Sequence, residues 1–268
     1  MSNNPFQDHG VEFLSPTSIN KFRKNPAKWL VNVAGYKDKI FSPPMTYGSA
    51  VEVGITHGLL SDATTEDCVD RAINCIDETH ADMEILGAEQ NIEFDYDFGA
   101  CLENQKKLFQ TIDKVLPTFQ DYGELVDHQK RVEFKIDDLP IPIIGYVDLL
   151  YDDCVRDIKV TKKKPKTKRD WEYQLTFYSK ATGKKPFVDA IYSLKTKTEL
   201  FTFEVQNIEE HWKDIQRIAY KMMRLLSLSE NIEDVCYLSC LEPDTTNEDW
   251  WNQWGTNEMI GAKKLFLK

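Results

Sequence analysis

At 268 residues, with 41% hydrophobic and 29% charged positions, the chain is long enough for one large domain or two small ones. This composition excludes a disordered, collagen-like or coiled-coil chain, and no apolar run of about 18 residues exists to cross a membrane. The net charge of 33 − 44 = −11 counts against a protein that coats nucleic acid.

In chain order, the N-terminus lacks a basic stretch followed by an apolar one, so no signal peptide is expected. Ser15 is a good N-cap and Pro16 suits a first helical turn. Ile19, Phe22 and Trp29 then share a stripe, predicting a helix over 14–30. Residues 31–46 read as a loop, followed by a helix from about Tyr47 to Leu60 and a polar break. Residues 66–120 read as helical around a loop at 87–99, with Pro117 ending the stretch. At 131–136 the period changes to the alternation of a strand. Ile141 to Tyr151 and Cys154 to Val160 are the next two strands, separated by Asp152 and Asp153, so the three form an antiparallel meander. A helix over 169–182 ends at Gly183. Strands over 187–194 and 200–205 follow, then a helix over 208–227 capped by Asn207, and a last helix near the C-terminus. The reading is one α/β domain over 1–268, with a helical insertion at 61–128, a core at 131–206 and a C-terminal helical part at 207–268.

The six cysteines form no CxxC pair, which reads as reduced thiols in a cytoplasmic setting. Cys236 and Cys240 stand four apart, but no second pair completes a tetrahedral set.

Chemistry concentrates on two strands. Asp157 and Lys159 are two apart and project from one face, with Ile158 turned to the core between them. Adjacent strands lie about 4.8 Å apart, so Asp148 falls near Asp157. Two carboxylates at that range repel unless a proton or cation separates them. Mg²⁺ suits such a pair, with the Ile158 carbonyl as a further oxygen ligand, and Mn²⁺ can substitute. A metal there polarises a phosphate oxygen and acidifies its water, while Lys159 orients that water and stabilises developing charge. Directly after Lys159 comes a basic run, seven of eleven residues over 159–169 with no acid among them. Lys162, Lys163, Lys164, Lys166, Lys168 and Arg169 are the candidate DNA-backbone contacts.

The order of these motifs resembles the PD-(D/E)xK nuclease superfamily, closest to its RecB-like and Cas4-like exonuclease branch, phage members included. Gly145-Tyr146-Val147-Asp148 matches its Gly-hydrophobic-Asp strand, Asp157-Ile158-Lys159 its Asp-x-Lys strand, and Gln174 with Tyr178 its Gln-xxx-Tyr helix. Leu14 to Phe22 is similar to the branch's opening helix. Tyr47 to Glu52 is similar to its Gly-xxx-His motif, with Glu52 where many members carry a metal-binding His; His57 misses that spacing. The resemblance implies a restriction-endonuclease-like α/β core, a mixed central sheet flanked by helices with a helical N-terminal elaboration. Its catalytic set would be Asp148, Asp157, Lys159, Gln174 and Tyr178, and its metal set Glu52, Asp148, Asp157 and Ile158. Some members carry an iron–sulfur cluster; here Asn25 fills the N-terminal cysteine slot, and no cluster is expected.

The resemblance implies a stand-alone DNA exonuclease in recombination, repair or phage DNA processing, in a bacterial or phage-infected cytoplasm. The other readings are a structure-specific endonuclease of the same fold and a non-catalytic DNA-binding module. The resemblance leaves open a homo-oligomer, ring-shaped as in some related nucleases, and a single-strand-binding or annealing partner protein, but no residue here demands either. Glu133, on the first core strand, alternates toward the site or toward solvent. Trp250, Trp251 and Trp254 read first as packing anchors, and second as surfaces for stacking bases.

Overall fold

The computed structural model describes residues 4–38, 41–90, 94, 96–239, 241 and 254–266. Cys240, Trp250 and Trp251 lie outside the described residues. Helices α1 (Pro5–Asp8), α2 (Pro16–Lys24), α3 (Pro26–Val33) and α4 (Pro43–Leu60) lead to α5 (Thr65–Gln90), α6 (Phe98–Gln105) and α7 (Leu108–Gln120). Strands β1 (Asp127–Phe134), β2 (Ile143–Leu150) and β3 (Cys154–Thr161) precede α8 (Arg169–Thr182). Then come β4 (Lys185–Ser193), β5 (Thr198–Glu204), α9 (Ile208–Leu226), α10 (Ile232–Leu238) and α11 (Thr256–Phe266).

The five strands form one sheet in the order β1-β2-β3-β4-β5. β1, β2 and β3 make the expected antiparallel meander. β4 runs parallel to β3 and β5 antiparallel to β4, so the sheet is mixed. A parallel neighbour cannot be reached by a tight turn, and α8 supplies the crossover.

Side-chain alternation divides the core into two layers. Leu150, Val155, Val188 and Ala190 face α2, α3, α8 and α9. Leu149, Ile158 and Ile191 face α4, α5 and α7. α9 buries Trp212, Ile215, Ala219, Met222 and Leu226 at three- and four-residue steps along one face. Each large apolar side chain so buried is worth about 1.5–3 kcal/mol. Gly54 permits the close approach of α4 to its neighbours, since a Cβ there would lie 2.6 Å from Ile112 Cδ1 and 2.9 Å from the Cys68 carbonyl oxygen.

Several boundaries differ from expectation. The helix expected over 14–30 is two helices, because Pro26 cannot donate within a helix and Asn25 before it is extended, at φ −152°. Asn25 caps α3 instead, its side chain accepting from the Lys28 amide at 2.9 Å. α4 starts at Pro43, inside the segment expected to be a loop, with proline in the first turn. Pro117 lies inside α7 rather than ending it; the carbonyl it leaves without an i+4 donor is that of exposed Asp113, within reach of water. β1 begins four residues before the expected start at 131.

Candidate active site

β2 and β3 stay paired only at Leu149–Arg156 and Leu150–Val155. One residue further along this register, Asp148 stands opposite Asp157. There the strands part, and the Asp148 carboxylate fills the gap, accepting the Ile158 amide at 2.9 Å. Where β3 has left, the N-terminal chain takes its place. Leu14 donates to the Pro142 carbonyl at 3.0 Å and accepts the Ile144 amide at 2.8 Å. This bridge delivers Ser15, whose reciprocal bonds with Ser18 start α2 beside the site.

The parting strands leave a carboxylate cluster. Asp157 is fully buried, and its Oδ2 lies 2.6 Å from Lys159 Nζ. That contact is an ion pair outside hydrogen-bonding alignment; neither Asp157 oxygen has a hydrogen-bond partner. Asp148 is 9% exposed. Glu52 reaches over from α4, and Gln129 on β1 donates its side-chain amide to Glu52 Oε1 and, at 3.4 Å, to Asp148 Oδ1.

The electrostatics follow from this crowding. Burial, then the charges of Asp157 and Glu52, push the Asp148 carboxyl well above its usual range, against Lys159 and the Ile158 amide. Burial also raises Glu52; the Gln129 amide pulls it down and Asp157 pushes it up. For Lys159, burial favours the neutral amine, but Asp157 and Asp148 outweigh it and hold the ammonium above its ordinary pKa. Lys159 is therefore a cation at neutral pH, suited to hold a phosphate oxygen.

α8 closes the site from the other side. Gln174 Nε2 donates to Tyr178 OH at 2.9 Å, joining the two residues expected to share a face. Tyr178 is buried, and burial followed by the Asp157 charge raises its hydroxyl pKa. Gly145 makes this packing possible. A Cβ there would stand 2.8 Å from the Tyr178 ring and 2.9 Å from that of Phe177, so the glycine before Asp148 serves the tyrosine of the helix motif.

A cleft of about 420 Å³ opens from Lys159 and Gln174, lined also by Trp171 and by Lys21, Lys24 and Lys28 of α2 and α3. Nothing in the sequence singles out these three lysines, which are scattered singly along helices. Lys24 and Arg23 pair with Asp170, and Lys21 and Lys28 with Glu258.

The basic run forms an exposed segment between β3 and α8. Lys162, Lys163, Lys164, Lys166, Lys168 and Arg169 are all exposed. Lys164 and Lys168 lie 6.0 and 4.6 Å above the Phe201 and Trp171 rings. Arg169 turns back to α9, 3.7 Å from Asp214.

Other candidates fall away from the cluster. His57 is half-buried in the last turn of α4, away from Glu52. Glu133 is exposed and pairs with Arg131 at 3.0 Å. Cys236 and Trp254 are packed in the core. The side chain of Ile158 is buried on the opposite face, as alternation requires.

The donor set is one of hard oxygens around a buried carboxylate whose oxygens lack hydrogen bonds, which fits a divalent cation such as Mg²⁺. Among the described residues no three His, Cys, Asp or Glu side chains stand at metal-holding distance from one another; the Gln129 amide lies between Glu52 and Asp148.

A family model, that of the PD-(D/E)XK nuclease superfamily, matches residues 13–236, which include Glu52, Gln129, Asp148, Asp157, Lys159, Gln174 and Tyr178. The chain belongs to this superfamily. It is a nuclease by family, with DNA as the implied substrate and a divalent metal ion, generally Mg²⁺, as the family's cofactor. The nuclease is similar in fold to the crystal structure of a candidate exonuclease from Eubacterium rectale, at 14% identity and a TM-score of 0.57, covering 85% of this chain and 86% of that one. The SSO0001 structure, at 13% identity and a TM-score of 0.32 over 79% and 89% of the two chains, is too distant to argue from. No curated protein matches. The mixed sheet between helical layers is the restriction-endonuclease-like architecture expected. No described helix of the nuclease is long and apolar enough to cross a membrane.

Proposed function

We propose that the protein is a Mg²⁺-dependent DNA exonuclease of the RecB-like and Cas4-like branch, hydrolysing phosphodiester bonds from DNA ends in recombination, repair or phage DNA processing. The observation that carries the reading is fully buried Asp157, opposite Asp148 and beside the Lys159 ammonium, with no hydrogen bond to either oxygen. Asp157 and Asp148 share that one ammonium, and so much buried negative charge is costly unless a further cation completes it.

In this reading Glu52, Asp148, Asp157 and the Ile158 carbonyl hold the metal. When bound, it supplies a polarised phosphate oxygen and an acidified water. Asp148, fixed by the Ile158 amide, positions that assembly. Lys159 keeps its proton and neutralises charge growing on the scissile phosphate. Gln174 lines the cleft where the strand enters, its side-chain amide held by the bond it donates to the buried Tyr178 hydroxyl. The 162–169 segment holds the flanking backbone by charge.

The preference for ends over internal bonds rests on the branch resemblance and on the E. rectale protein's description as a candidate exonuclease. It is tested with end-labelled linear duplex, single-stranded and closed circular DNA in Mg²⁺. Loss of linear but not circular DNA is expected, with the label giving polarity; cutting of closed circles would make the protein an endonuclease of the same fold.

A further inference from the structure

β1 contains a backbone anomaly beside the site. Gln129 has φ +45°, in the left-handed region that side chains other than glycine rarely adopt. It interrupts the β1–β2 ladder. His128 pairs with Leu149 and Lys130 with Val147, and between them Gln129 stands opposite Asp148 without a pairing of its own. Strain of this kind persists only where the surroundings over-determine it, and it gathers at functional positions. Here it accompanies one specific placement: the side-chain amide gives its hydrogens to Glu52 Oε1 and Asp148 Oδ1.

That placement has a chemical meaning. One amide nitrogen reaches both Glu52 and Asp148, so the two carboxylates stand close enough to repel one another. A partly positive NH₂ group between two carboxylates stands where a cation would relieve them. When a divalent cation takes that place, the nitrogen must leave. The same amide carries a carbonyl oxygen, the type of ligand that hard cations accept.

We infer that Gln129 is a residue of the cation site. It holds Glu52 and Asp148 together through its nitrogen when the metal is absent, and offers its carbonyl oxygen when the metal is present. This rests on the metal-dependent nuclease reading and adds a site residue from a strand that carries none of the family motifs quoted above. Its backbone conformation is maintained for the side chain's sake.

The test is Mn²⁺ binding to the full-length protein by calorimetry, with thermal melts of the metal-free variants. Gln129→Gly relieves the backbone and removes the amide; Gln129→Ala removes the amide and keeps the strain; Gln129→Glu keeps an oxygen donor. Both Gln129→Gly and Gln129→Ala should bind Mn²⁺ at least about tenfold more weakly than the parent protein, with the glycine variant melting higher than the alanine variant. Gln129→Glu should bind as tightly or more tightly. Undiminished binding by Gln129→Gly would overturn the inference, because backbone shape alone would then suffice. So would tighter binding by Gln129→Gly, which would make the amide a competitor of the metal, or weaker binding by Gln129→Glu. Asp157→Asn in the same titration separates this from failure of the underlying reading. If the parent protein binds no Mn²⁺, or Asp157→Asn binds it equally well, the metal site itself is wrong and the role of Gln129 falls with it.

Discussion

At the scale of single residues, the motifs are tied together by packing that spacing does not reveal. Gly145 sits three residues before Asp148, yet what it accommodates is the Tyr178 and Phe177 rings of another element. Gly145→Ala should therefore cost about 1–3 kcal/mol through overpacking. A melt compared with that of Gly48→Ala, where a Cβ would meet nothing within 4 Å, measures this; equal effects at the two glycines would show that the rings yield freely. Asp148, Asp157 and Lys159 stand out in the sequence because residue type and strand parity together dictate a shared face. Gln129 does not. Its role depends on a positive φ and on the parting of β2 from β3, and neither leaves a mark in a polar strand residue.

Among elements, the legible features are those set by period and by caps. Alternation marks β1, the apolar run marks β2, and Ser15, Gly183 and Asn207 mark helix ends that the structure places at the ends of α2, α8 and α9. The split at Pro26 and the early start of α4 at Pro43 escape the sequence reading although proline announces both; a shared apolar stripe over 19–29 masks the first. The parallel pairing of β3 with β4 is not written in either strand. It follows from α8 lying between them and from the burial of both β4 faces. The 162–168 segment is the element whose role binding can test. With Lys162, Lys163, Lys164 and Lys166 changed to Gln, DNA affinity should fall, and the slope of log K against log salt should flatten by roughly 0.9 for each phosphate no longer neutralised. A slope equal to that of the parent protein would make the segment a solvated connection.

For the whole molecule, the acidic surplus and the basic segment divide the labour: −18 on the remainder of the chain leaves the 159–169 run, at +7, as a local cationic track. The carboxylate cluster also sets how stability depends on pH. Asp148 and Glu52 have folded pKa values above their ordinary ones. Their contribution is fully present below the unfolded values, about 3.9 and 4.3, and is lost as pH rises through the raised folded values. Lys159, also raised, contributes stability that persists through neutrality and is lost only above its unfolded value, about 10.4. Above those raised values the metal-free protein thus carries a penalty that it lacks near pH 4, and a divalent cation removes it. The melting temperature should rise more on adding Mg²⁺ at pH 8 than at pH 5, since protons compete with the metal for the same oxygens. An equal rise at both would place the bound metal elsewhere.

That Asp157 and its neighbours make a metal-dependent nuclease is tested most directly by cleavage of end-labelled linear DNA, by the parent protein and by Asp157→Asn, each with Mg²⁺ and with EDTA. Cleavage by the parent protein in Mg²⁺ alone, reduced by at least about 10²-fold in Asp157→Asn, is the expected result. Cleavage that survives EDTA or the substitution would contradict it.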